Sequence, residues 1–223
     1  MIKLCIFDMD GLLLDTERYM WSKSLVQAAQ EQGFVMTQEL HLEFMGMGRE
    51  GAGRYIKERF GDGFDPKKFF DRVFEINKGI SANGIPLMKG AQELLDYLKK
   101  EHIHICLGTS SERQEALELL DKINVTHYFE EGVFGDEVEN GKPSPEIYLK
   151  CLGKFDVDKS EAIVLEDGNA GAMAAITAGI PVIAVPDIAI ISDEVKQKAF
   201  RIVEDLSKVI DIIKEENERT TCV

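Results

Sequence analysis

Apolar residues gather in short runs at 2–7, 103–107, 132–134, 162–165 and 181–185, the first two interrupted only by Lys3 and His104, and the runs give way to Asp8, Thr109, Asp136, Glu166 and Pro186. Runs this short, bounded by polar and turn-forming residues, predict strands buried on both faces. Between them the apolar positions switch to helical spacing: 91–100 with Leu94, Leu95 and Leu98, 113–123 with Leu117, Leu119 and Leu120, then 145–152 and 170–178. Alternating strands and helices predict an α/β protein, a doubly wound parallel sheet with helices on both faces.

Residues 16–85 break that rhythm. They hold helical patterns at 19–32, 38–44, 52–60 and 66–78, glycines at 33, 46, 48, 51, 53, 61 and 63, and no strand pattern. The economical reading is a helical domain, 16–85, inserted into a core made of 1–15 and 86–223, with hinges near 15–17 and 82–86. Trp21, Phe69, Phe70 and Phe74 recur at helical spacing and are expected to build the inserted domain's own core. The charged stretch from Lys214 reads as a solvated helix end or a frayed terminus.

Composition narrows the partners. With 40 acidic residues against 26 Lys and Arg, the formal charge is −14, which disfavours nucleic acid and anionic membranes. A phosphorylated ligand would feel the same repulsion, so any phosphate site must carry local positive charge. No run approaches the ~20 apolar residues of a membrane span, and Asp8 interrupts the first run too early for a signal peptide. Cys5, Cys106, Cys151 and Cys222 form no CxxC pair, which suits reduced thiols and a cytoplasmic location. His41, His102, His104 and His127 show no metal-ligand spacing.

In a doubly wound sheet, ligands bind beyond the carboxyl ends of the strands, so the polar residues ending these strands should converge. Asp8-Met9-Asp10-Gly11 puts two carboxylates at one strand end, and Glu166-Asp167 adds two at another. Converging acids are either a costly crowd of like charge or ligands for a hard divalent cation. Taken alone, Asp8-Met9-Asp10-Gly11 fits an ordinary turn equally well. Thr109-Ser110-Ser111 leads from a strand into a helix and serves either as a plain N-cap or as a phosphate cradle. Lys142, in Gly141-Lys142-Pro143-Ser144-Pro145, is either an exposed loop lysine or a cation held rigidly between prolines.

The order of these pieces resembles the haloacid-dehalogenase-like superfamily, and within it the beta-phosphoglucomutase-like group, whose DxDGxxxDT pattern is matched from Asp8 to Thr16. The likeness continues through Gly141-Lys142-Pro143-Ser144-Pro145-Glu146-Ile147-Tyr148 and Glu166-Asp167 with Gly171, Ala174, Ala175, Ala178 and Gly179. The resemblance implies that Asp8 is a nucleophile forming an aspartyl-phosphate and Asp10 a general acid and base. It implies Mg²⁺ held by Asp8, the Asp10 carbonyl and Asp167 with Glu166 adjacent, and a phosphoryl group held by Thr109 and Lys142 with Ser110 nearby. It makes 16–85 a mobile cap, in which the loop Phe44-Met45-Gly46-Met47-Gly48-Arg49-Glu50 reads the substrate. Arg49 is a substrate-binding candidate there and Lys78 a weaker one.

Within that superfamily, dehalogenases lack the second aspartate and ion pumps carry Thr in its place, so Asp10 points to phosphoryl transfer. Mutases carry a histidine shortly after the Asp-Thr pair, where this chain has Met20. The expectation is therefore a monomeric Mg²⁺-dependent phosphatase of a small phosphorylated metabolite, with a sugar phosphate foremost and a phosphosugar mutase as the alternative. Readings from other classes are a phospho-Asp signalling receiver and a non-catalytic phosphosugar-binding protein; the helical insertion and Glu166-Asp167 weigh against the receiver. Gly168 and Asn169 stand where the family usually has Ser, a change expected to loosen that helix start without removing a ligand.

Overall fold

The strand edges follow from which runs can be buried. In a computed structural model, which describes residues 1–44, 49–82 and 84–221, the elements in chain order are β1 (Leu4–Phe7), α1 (Thr16–Tyr19), a π-helical turn (Met20–Leu25), α2 (Val26–Glu31), α3 (Gln38–Phe44), α4 (Arg49–Phe60), α5 (Pro66–Ser81), α6 (Ala91–Lys100), β2 (His104–Gly108), α7 (Arg113–Lys122), β3 (Glu131–Val133), α8 (Glu146–Leu152), β4 (Ala162–Glu166), α9 (Asn169–Ala178), β5 (Val182–Ala184), α10 (Asp193–Lys198), β6 (Arg201–Ile202) and α11 (Ser207–Thr221). The chain divides into two compact units, Met1–Asp15 with Pro86–Val223, and Thr16–Ile85.

The larger unit carries a six-stranded sheet in the order β3-β2-β1-β4-β5-β6, with every pairing parallel. This is the α/β architecture that the alternating pattern predicts. Every residue of β1 and β4 is buried, which is why those strands read as continuous apolar runs. Phe7 lies level with Leu107 on one side and Leu165 on the other, so β1, β2 and β4 end together. The chain reverses direction of winding between β1 and β4, the switch point where an open α/β sheet leaves a crevice. Leu94, Leu95 and Leu98 of α6 are fully buried, each contributing ~1.5–3 kcal/mol relative to exposure.

Three elements at the C-terminal side were not expected. β6 is two residues long and exposed at both, so it leaves no apolar run. Among the described residues, α10 and α11 bury Val195, Val209 and Ile213, and the short apolar stretch of α11 is interrupted by Asp211 and flanked by Lys208 and Lys214. The stretch from Lys214 is the second half of that helix.

Among the described residues, the smaller unit is helical apart from its turns and loops. Its core gathers Leu25, Ala28, Ala29, Phe44, Ile56, Phe64, Phe69 and Val73, and the rings of Phe34, Phe60 and Phe64 pack at 4.8–5.5 Å. α5 starts cleanly because Asp65 accepts a hydrogen bond from Lys68 N–H at 3.1 Å and Pro66 needs no N–H partner. Phe74 corrects the expected aromatic core. It is 57% exposed, one position off the Phe69–Val73 stripe and therefore about 100° around the helix. The side chain of Trp21 lies outside the described residues. The expected continuous helix over 19–32 is interrupted by the π-helical turn at Met20–Leu25.

Cys5, Cys106 and Cys151 are buried free thiols, and Cys222 lies outside the described residues. His41 is buried beside Phe44, while His104 meets Glu130 at 2.8 Å on the surface. Among the described residues, no helix is long and apolar enough to cross a membrane.

Candidate active site

β1 delivers Asp8 to the sheet's carboxyl edge, where its N–H donates to Leu165 O at 3.1 Å on β4. Gly11 then turns at φ 81°, a left-handed conformation that glycine adopts without strain. That turn keeps Asp10 at the same edge as Asp8. The Asp10 carboxylate accepts a hydrogen bond from the Ser111 hydroxyl at 2.7 Å, so the ends of β1 and β2 are joined by side chains 101 residues apart.

Thr109 is fully buried just past β2. Its hydroxyl oxygen accepts from Ser111 N–H at 3.1 Å; a hydroxyl that accepts in this way keeps its own hydrogen to donate. Ser110 is exposed, and no local signal in 109–111 marks Ser111, rather than its neighbour, as the residue that meets Asp10.

Lys142 reaches inward from the loop before α8, and it is no exposed loop lysine. Its ammonium lies 2.5 Å from Asp8 Oδ1 and 2.6 Å from Glu166 Oε1, with the three side chains only 8%, 9% and 3% exposed. Glu166 Oε1 also accepts from the Tyr148 hydroxyl at 2.6 Å, and its other oxygen accepts from Gly168 N–H at 3.3 Å. Glycine is required at 171, because a Cβ there would fall 1.5 Å from Glu166 Oε1. The carboxylate of Glu166 therefore occupies space that α9 leaves open.

The loop carrying Lys142 is itself braced. Glu146 accepts from Glu139 N–H at 2.9 Å and Asn140 N–H at 3.0 Å, and pairs with Lys150 at 2.6 Å. At the start of α9, Gly168 provides no side-chain cap. Asn169 instead donates to Ile190 O at 2.9 Å and accepts from Ser192 N–H at 2.8 Å, tying that helix start to the segment after β5.

Asp8, Glu166 and Asp167 bring carboxylate oxygens within 4.8 Å of one another. This hard-oxygen donor set, buried and acidic, fits a divalent cation such as Mg²⁺. Burial, helped by the charges of Glu166 and Asp10 and opposed by Lys142, pushes the Asp8 carboxyl up to about 7; a cation brought to it would favour the ionised form. Burial works to lower the Lys142 ammonium, but Asp8 and Glu166 outweigh it and hold the group above its ordinary value.

Lys78 is exposed on α5. Residues 45–48 and the side chains of Arg49 and Glu50 lie outside the described residues.

The sequence pattern of the haloacid dehalogenase-like hydrolases matches residues 5–185. The chain belongs to that family. It is 36% identical over 175 residues to the phosphorylated carbohydrates phosphatase of Thermotoga maritima, covering 78% of this chain and 81% of the relative. It is 32% identical over 191 residues to (DL)-glycerol-3-phosphatase 2 of Arabidopsis thaliana, covering 82% of this chain and 78% of the relative. A Thermotoga maritima crystal structure with a provisional beta-phosphoglucomutase assignment is 31% identical, with a TM-score of 0.79 over 96% of this chain and 99% of that one. The resemblance read from the Asp8 motif, Lys142 and Glu166-Asp167 therefore holds over residues 5–185, and family membership removes the signalling-receiver reading.

Proposed function

We propose that this enzyme is a Mg²⁺-dependent phosphatase of small phosphorylated metabolites, with sugar phosphates foremost, and that it works through an aspartyl-phosphate on Asp8. The observation that carries the reading is the buried Asp8–Lys142–Glu166 bridge beside Asp167 at the switch point of the sheet. Lys142 contributes one positive charge toward the local balance that a −14 chain needs to accept a phosphoryl group, and a divalent cation at the acids would contribute the rest. The phosphatases among its relatives support the same reading.

In the first step an Asp8 carboxylate oxygen attacks phosphorus, the bond to the leaving oxygen breaks, and Asp10 gives that oxygen a proton. In the second, water attacks the phosphorus of the aspartyl-phosphate and passes a proton to Asp10, releasing phosphate and restoring the Asp8 carboxylate. Lys142 and the Thr109 hydroxyl donate to the phosphoryl oxygens, where negative charge is concentrated during transfer. Ser111 keeps Asp10 oriented through its 2.7 Å bond. Asp8, the Asp10 carbonyl and Asp167 would hold Mg²⁺, which when bound neutralises phosphoryl charge. The unit Thr16–Ile85 serves as the cap, with Arg49 and Ser110 toward the substrate.

Asp8→Asn is expected to abolish hydrolysis of p-nitrophenyl phosphate while leaving the circular dichroism spectrum intact. Substantial remaining turnover refutes the nucleophile. A panel of phosphorylated sugars, polyols and nucleotides, with beta-glucose 1-phosphate included, identifies the substrate; conversion of that sugar to its 6-phosphate without release of phosphate would favour a mutase.

A further inference from the structure

Tyr148, in the first turn of α8, has no exposed surface and heads the fully buried side chains by size. It touches both partners of the central ion pair. The hydroxyl donates to Glu166 Oε1 at 2.6 Å, the same oxygen that accepts from Lys142 at 2.6 Å. The Lys142 ammonium also lies 5.0 Å from the centre of the Tyr148 ring, within range of a cation–π contact.

We propose that Tyr148 is a positioning residue for the phosphoryl-binding lysine, acting through Glu166; this rests on the reading of Asp8 as nucleophile and Lys142 as phosphoryl ligand. An ammonium has three donors in a freely rotating head. Here one goes to Asp8 and one to Glu166, which directs the third only if Glu166 itself is held. Glu166 Oε1 is held by the Tyr148 hydroxyl, in the space that Gly171 leaves. Without that hydroxyl the buried oxygen keeps a single donor, Lys142. The carboxylate, held otherwise only by Gly168 N–H at 3.3 Å on its other oxygen, then follows the ammonium, or draws it away from Asp8, as charge builds on the phosphoryl group.

A ring that only fills the core makes a different prediction. Tyr148 packs in a cluster with Leu4, Ile6, Cys106 and Val164, and phenylalanine would fill that space and keep the ring face toward Lys142. Only the bond to Glu166 separates the two residues.

The test compares wild type, Tyr148→Phe, Lys142→Met and the double variant, with p-nitrophenyl phosphate in Mg²⁺ buffer. Cooperative unfolding and an unchanged circular dichroism spectrum establish that Tyr148→Phe folds. The expected result is a roughly tenfold fall in kcat/KM carried by kcat, with KM moving less than about twofold, a loss equal to ~1.4 kcal/mol of transition-state stabilisation. Inorganic phosphate should raise the unfolding temperature of Tyr148→Phe less than that of wild type. In the Lys142→Met background, removing the hydroxyl should change kcat/KM less than about twofold, because the group it positions is gone.

Wild-type kcat/KM and full phosphate protection in Tyr148→Phe overturn the proposal, as do equal losses in both backgrounds. A wild type that hydrolyses no phosphoester, or that keeps its turnover as Asp8→Asn, overturns the reading of the site instead.

Discussion

Lys142→Met removes one charge and keeps nearly the whole length of the side chain, so its effect measures what the ammonium does between Asp8 and Glu166. Two opposite charges in contact at an effective dielectric of about 20 attract by roughly 4 kcal/mol, and Lys142 has two such partners at 2.5 and 2.6 Å. Burying the ammonium itself costs several kcal/mol, which the variant no longer bears. What remains is two buried carboxylates facing each other without a counter-ion, and breaking a buried pair from one side typically costs about 3–5 kcal/mol. That is a large part of the ~5–15 kcal/mol stabilising a typical protein.

A divalent cation at the same acids replaces the missing positive charge, so Mg²⁺ should stabilise Lys142→Met more than it stabilises wild type. Urea unfolding followed by circular dichroism, with Mg²⁺ and with EDTA, reads both effects. Turnover should fall by about 10²–10³, the usual loss when a donor to developing charge is removed. A variant as stable as wild type in EDTA, or one with turnover within about threefold, would refute this account of the ion pair.

Asp167→Asn should abolish the rise in unfolding temperature that Mg²⁺ gives the wild type, and an undiminished rise would remove Asp167 from the cation site. Glu146 predicts a pH dependence at the brace of the Lys142 loop. Its carboxyl is held down to about 2 by Lys150 and then by the Glu139 and Asn140 N–H groups, against an ordinary value of 4.5. A group depressed on folding stabilises fully above its unfolded value and stops doing so as pH falls through the folded one. The melting-temperature gap between wild type and Glu146→Gln should therefore hold at neutral pH and close between about 4.5 and 2; a gap independent of pH contradicts the brace.

The sheet was legible because burial on both faces writes itself into β1, β2 and β4 as apolar runs broken only at their ends, by His104 and Glu166. β6 left no such trace, since Arg201 and Ile202 are both exposed, and α11 hides Val209 and Ile213 among charges. The polar strand ends were legible as a group, by their order and by the rule that strand termini converge at the switch point. The environment of each was not. Nothing local to Lys142 tells a buried lysine from a solvated one; its burial depends on Asp8 and Glu166, which lie 134 and 24 residues away. Tyr148 and Ser111 were passed over for the same reason, because each gains its meaning from a carboxylate on a distant part of the chain. One sign was available for Tyr148: a carboxylate ending a buried strand needs donors, and this tyrosine stands in the same motif as Lys142.

The stereochemical course at phosphorus tests the covalent mechanism most directly. With an aryl phosphorothioate carrying two oxygen isotopes on phosphorus and hydrolysed in water of the third, two successive displacements through Asp8 give chiral thiophosphate with retained configuration. Inversion would mean a single direct attack by water, and would contradict an aspartyl-phosphate.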